Sequence, residues 1–136
     1  MSWKQGKKPE ILIVDDQPLN LQLLSRVLSE EFDLRVARSG QKALEIAFGE
    51  DIPDLILLDI NMPDIDGYEL CHRLREQRKT QDTPVIFLTE KRDRVDKLQG
   101  LQLGVVDYIT KPFDIQELRL RVRNAIGRAK RPTMVN

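Results

Sequence analysis

The chain has 136 residues, 40% of them hydrophobic and 32% charged; its 22 basic and 22 acidic side chains give a formal net charge of zero. That length suits one domain with a buried core, and the even charge argues against nucleic acid as a main partner, because phosphate contact needs a basic face. A single cysteine, Cys71, excludes an internal disulfide and fits a reducing compartment, while no apolar run approaches the roughly 18 residues of a membrane helix.

The polar, basic stretch 1–9 reads as an N-terminal extension without a secretory signal, so a cytoplasmic protein without membrane contact is expected. Residues 10–15 then read as a strand. Pro18 can open a helix, and Leu19, Leu23, Val27 and Leu28 follow at helical spacing. Residues 32–37 form a short strand nearer an edge, with Asp33 and Arg35 alternating against apolar neighbours. Ser39 is placed to cap the next helix, whose stripe is Ala43, Leu44, Ala47 and Phe48. A third strand, 54–59, leads into a loop, 60–67, and a helix with Leu70, Cys71 and Leu74 on its apolar face. Residues 84–89 give the fourth strand, and Val95, Leu98, Leu101 and Leu103 a fourth helix ended near Gly104. The fifth strand is 105–110. Ile115, Leu118, Val122 and Ile126 mark the last helix, with fraying expected after Gly127. His72, the only histidine, makes no metal site by itself.

Strands that are apolar throughout are buried on both faces, as in a parallel sheet covered by helices. Five such units predict one α/β domain, 10–129, followed by a tail or linker, 130–136. In such sheets ligands bind beyond the carboxyl ends of the strands. Asp15 and Asp16, Asp59, Thr89 and Lys111 all stand at those ends. Each acid alone could cap a helix; an adjacent pair, a third acid and a lysine on one rim point to chemistry instead. An all-oxygen donor set suits Mg²⁺, with Mn²⁺ able to substitute. Asp59, alone at its strand end, is the candidate nucleophile toward a phosphoryl group, with Thr89 and Lys111 placed to meet its oxygens.

Four ordered stretches carry a resemblance: Ile-Leu-Ile-Val-Asp-Asp-Gln-Pro (11–18), Asp-Leu-Ile-Leu-Leu-Asp-Ile-Asn-Met-Pro-Asp-Ile-Asp-Gly (54–67), Pro-Val-Ile-Phe-Leu-Thr (84–89) and Gly-Val-Val-Asp-Tyr-Ile-Thr-Lys-Pro-Phe (104–113). Together they resemble the receiver domain of bacterial two-component response regulators. The resemblance implies a flavodoxin-like (βα)5 fold with strand order 2-1-3-4-5. It implies that Asp59 is the phosphoacceptor and that Asp16, Asp59 and the backbone carbonyl of Asn61 bind Mg²⁺, with Asp15 acting through water. Thr89 and Tyr108 would be the switch pair, Lys111 the phosphate-binding lysine, and Lys111–Pro112 a cis bond. The implied donor is a sensor histidine kinase or a histidine phosphotransfer protein. The implied output surface, and a possible homodimer face, is built from the fourth helix, fifth strand and fifth helix. On this reading the chain is no enzyme beyond its own phosphorylation and dephosphorylation.

Two positions depart from the family pattern. Glu90 follows Thr89 where a small residue is usual, so Glu90 and its neighbour Lys91 are expected to modulate phosphorylation. Val106 replaces the first of two acids that precede the switch aromatic in the winged-helix transcription-factor subfamily, which weakens the expectation of that subfamily's dimer. A Mg²⁺-dependent phosphatase is the competing reading. Asn61 stands where such enzymes place a second acid, and no cap insertion is present. A binding module that is never phosphorylated is the third.

Overall fold

The computed structural model describes residues 7–130, with side chains as far as Gly127. Strands and helices alternate: β1 Glu10–Val14, α1 Pro18–Leu28, β2 Asp33–Ala37, α2 Gly40–Ala47, β3 Leu55–Asp59, α3 Gly67–Arg75, β4 Val85–Glu90, α4 Lys97–Gln102, β5 Val105–Lys111 and α5 Ile115–Lys130. All strand pairs are parallel, and the sheet order is β2-β1-β3-β4-β5, as the resemblance implies.

The two-residue period of the strands explains their unbroken apolar runs. Ile11, Ile13, Leu55, Leu57, Ile86 and Leu88 face α1 and α5, where Leu24, Leu28, Leu118 and Val122 close the layer. Their neighbours Leu12, Val14, Ile56, Leu58, Val85 and Phe87 face the other way, against Ala43, Leu44, Leu70 and Leu74 of α2 and α3. Both faces are thus covered, and the central strands carry no solvent side.

Local capping fits the sequence. Ser39 Oγ accepts from Lys42 N at 3.1 Å, and Asp66 caps α3 by accepting from Glu69 N at 2.8 Å. Gly104 closes α4 with a φ of 78°, the left-handed turn that glycine adopts freely.

Three expectations are corrected. In α1, Leu19 and Leu23 point outward, and the buried stripe is Leu21, Leu24, Val27 and Leu28. Leucines occupy two faces of this helix, and spacing alone does not say which one the sheet takes. In α4, Leu98 and Leu101 are 66% and 72% exposed, and Gly100 is the buried residue. Past Gly127, where fraying is expected, the α5 backbone stays helical to Lys130. Most of the N-terminal extension (1–6) and of the tail (131–136) lies outside the described residues.

Candidate functional site

Strand order reverses between β1 and β3, since β2 lies to one side of β1 and β4 to the far side of β3. The crevice at such a switch point is where doubly wound sheets bind ligands. The chain leaving β1 there carries Asp15 and Asp16, and β3 ends in Asp59. Carboxylate oxygens of all three lie within 4.8 Å of one another. Asp15 and Asp59 are buried and Asp16 is half-buried.

The lysine reaches this cluster from the far edge. In register, Glu90 of β4 stands opposite Lys111 of β5. Lys111 Nζ lies 3.1 Å from Asp15 Oδ2 and 3.3 Å from Asp59 Oδ2. The Lys111–Pro112 peptide bond is cis, as the resemblance implies. Thr89, one residue before Glu90, is buried on the same rim. Its side chain shares a sheet face with Phe87, two residues earlier, and Phe87 pairs in register with Tyr108. Thr89 and Tyr108 therefore occupy diagonal positions on one face of neighbouring strands.

The acids are not helix caps. α1 has no side-chain cap, and α3 is capped by Asp66. Asp15 instead accepts from Gln17 N at 2.9 Å and from Asn20 Nδ2 at 3.2 Å. Asp59 Oδ1 accepts from Asn61 N at 3.0 Å. Burial raises the Asp59 carboxyl above its ordinary range; the Asn61 N–H and the Lys111 charge pull it down, and Asp15 pushes it up again. Burial by itself would lower the Lys111 ammonium, but Asp59 and Asp15 outweigh it and hold it above its ordinary value. The two shifts have different causes: burial dominates at Asp59, where Lys111 pulls harder than Asp15 pushes, whereas at Lys111 the two acids together outweigh burial.

The donor set is chemically suited to a hard divalent cation. It consists of convergent carboxylate oxygens with an excess of negative charge, and it contains no sulfur or imidazole. Cys71 takes no part, since it is buried in the core and burial pushes its thiol up to about 11.

Glu90 is half-buried, with its carboxylate 3.3 Å from Arg92 Nε. Glu90, Lys91 and Lys111 line an open cleft of about 460 Å³ together with Gln17, Asn20, Arg92 and Pro112. Two residues with clear roles were not anticipated. Asn20 steadies Asp15. Asp93 accepts from Asn61 Nδ2 at 2.6 Å and from Glu90 N at 2.7 Å, joining the loops after β3 and β4. Both are polar partners in a helix start and a loop, where hydrophobic periodicity carries no signal.

The chain matches the model of the response regulator receiver domain over residues 11–123. It is 42% identical over 124 residues, 90% of its length, to the DNA-binding dual master transcriptional regulator RpaA of a Synechocystis species, of which it covers 51%. It spans about half the length, or less, of the curated relatives it matches. A putative response regulator from Chloroflexus aurantiacus superposes with a TM-score of 0.81 at 38% identity, covering 89% of this chain and 99% of that one. The receiver domain of the sensor histidine kinase PA1611 from Pseudomonas aeruginosa, solved with a magnesium ion in its active-site cleft, superposes with a TM-score of 0.78 at 31% identity, covering 88% and 98%. With the five-stranded parallel sheet, the acid cluster at its switch point and this agreement over nearly the whole described length, the chain belongs to the response regulator receiver domain family of two-component signalling.

Proposed function

We propose that residues 10–129 work as a phosphoacceptor switch in which Asp59 takes a phosphoryl group from a phosphohistidine. The observation that carries this reading is the Lys111 ammonium set between Asp15 and Asp59, 3.1 and 3.3 Å away, beside a third acid, Asp16. An Asp59 oxygen attacks phosphorus, the P–N bond to the donor imidazole breaks, and the imidazole takes up a proton as it leaves. Hydrolysis reverses the gain: water attacks the acyl phosphate, inorganic phosphate departs, and the carboxylate is restored. Apart from the donor and acceptor groups, the reaction requires little covalent chemistry and much positioning and charge.

The residues divide that work. The Asn61 N–H holds one Asp59 oxygen and so orients the other. Lys111, with its charge secured by two acids, stands ready to bind a phosphoryl oxygen. Thr89 offers a hydroxyl from the neighbouring strand end. Asp15, Asp16, Asp59 and the Asn61 carbonyl would hold Mg²⁺ or Mn²⁺, which supplies charge neutralisation on the transferring group. A phosphoryl group at Asp59 draws Thr89 toward it, and Tyr108 follows, altering the surface of α4, β5 and α5.

The partners proposed are a sensor histidine kinase or histidine phosphotransfer protein as donor and a separate output domain or protein as receiver of the signal. A homodimer through α4, β5 and α5 is proposed as well. The setting proposed is the cytoplasm; among the described residues no helix is long and apolar enough to cross a membrane. Glu90 and Lys91 are proposed to tune the rates. The test is intact mass after incubation with a small phosphodonor, with and without Mg²⁺. A Mg²⁺-dependent, hydroxylamine-labile gain of one phosphoryl group, absent in Asp59→Asn, is the expected result. Turnover of a free phosphate ester would favour a phosphatase instead.

A further inference from the structure

α4 is a short helix whose two leucines face outward and whose buried position is a glycine. Glycine is a poor helix former, and an alanine here would suit the backbone better. Gly100 has no positive φ, so no backbone conformation calls for it. What forbids a side chain is Tyr108. A methyl group on Gly100 would overlap the Tyr108 hydroxyl oxygen and stand 3.2 Å from Cζ and 3.6 Å from Val105 Cβ.

The Tyr108 ring reaches this place along an aromatic row. It packs edge-on against Phe87 at 5.8 Å, and Phe87 packs edge-on against Tyr68 at 5.1 Å. The Tyr108 hydroxyl is buried and has no hydrogen-bond partner among the described residues. A buried hydroxyl without a partner is a weak anchor. The ring is therefore seated by shape and not locked by a polar bond.

We infer that Gly100 is the positioning residue of the switch: the missing side chain leaves open on α4 the socket that receives the inward Tyr108 ring. The inference rests on the reading of Tyr108 as a switch residue and names what lets it turn inward. A ligand shifts a two-state element only as far as both states exist. With the socket filled, the inward state is closed. Phosphorylation of Asp59 would then proceed without reaching the α4–β5 surface.

The test compares the full chain with Gly100→Ala, Tyr108→Phe and the double variant. Tyrosines carry fluorine for ¹⁹F NMR, and since Tyr68 is the other of the two tyrosines, Tyr108→Phe assigns the signal. In Gly100→Ala the Tyr108 signal is expected to take on the solvent-isotope shift of an exposed ring. It should also stop responding to phosphodonor, while the mass gain at Asp59 persists. Phenylalanine lacks the overlapping oxygen, so Gly100→Ala should be better tolerated in the Tyr108→Phe background, with a melting temperature several degrees more favourable relative to its parent. Should Gly100→Ala fold only in that background, the same conclusion follows. An unmoved Tyr108 signal, an equal melting shift in both backgrounds, or failure to fold in both would overturn the inference. Absence of any mass gain in the parent chain would overturn the phosphoacceptor reading, and the melting comparison would still decide the socket.

Discussion

Glu90 stands where the strand carrying Thr89 ends, opposite Lys111 in register. Its carboxylate is paired with Arg92, whose side chain is 85% exposed, so that pair is worth little and opens readily. A negative side chain at the mouth of an already acidic site repels the dianionic end of a small phosphodonor. Glu90→Ala is expected to raise the rate of phosphorylation by a small donor by about threefold to tenfold, equivalent to roughly 1 kcal/mol of repulsion removed. Rising ionic strength should shrink the difference. Equal rates for the two proteins at low salt would remove Glu90 from the set of modulating residues. The rim residues Asp15, Asp16, Asp59, Thr89 and Lys111 were legible in the sequence because each follows an apolar run, and a parallel sheet puts all such ends on one side. Asn20 and Asp93 were not legible. Asn20 lies in a helix start where apolar spacing carries no signal, and the role of Asp93 depends on which loop meets which.

The loop between β3 and α3 also touches α2, and that contact tests how the elements hold together. Asp64 accepts from Gly40 N and Gln41 N, both at 3.0 Å, across the α2 N-terminus. The Gly40 N–H, above all, holds the Asp64 carboxyl below its ordinary value of 3.8. A carboxyl lowered in the folded state stabilises the fold fully above its ordinary value, and that contribution is lost as pH falls through the folded value. Asp64→Ala should therefore cost about 1 kcal/mol near neutral pH, the usual worth of a helix-capping carboxylate. The gap between variant and parent should begin to narrow only below about pH 4. Denaturant melts at several pH values would check both; a gap that stays constant down to the lowest pH would mean that the hydrogen bonds do not depend on ionisation. The elements themselves were largely legible, since apolar runs and turn residues alternate cleanly. Periodicity put Leu19 and Leu23 in the α1 stripe, where the sheet takes Leu21 and Leu24 instead. It also misassigned α4, where the buried residue is the one without a side chain. Packing against the sheet decides both, and packing is not a local property of the chain.

At the scale of the molecule, the core and the site pull against each other. Apolar residues are buried on both sheet faces, and this supports a rim where oxygens of three carboxylates lie within 4.8 Å of one another and one ammonium meets two of them. Asp59 is held above the ordinary carboxyl range, mainly by burial, so its ionised form is disfavoured in the folded state. Near neutral pH that carboxylate lowers the stability of the metal-free fold. Two consequences have opposite signs. Without divalent cation, Asp59→Asn should melt above the parent, because it removes a charge whose burial its neighbours do not fully offset. With Mg²⁺ or Mn²⁺, the parent should gain the larger increment, because it keeps the full donor set. Binding to the native state alone adds RT ln(1 + [L]/Kd), about 2.7 kcal/mol at a hundredfold excess over Kd. For a domain of this size that is roughly a 10 °C rise. The two melting temperatures should therefore converge, or change order, as cation is added, and thermal melts across a Mg²⁺ titration read this directly. If Asp59→Asn melts lower than the parent without cation, then Lys111 and the Asn61 N–H outweigh the crowding, and the acid cluster is a stabilising network instead of a site strained toward binding.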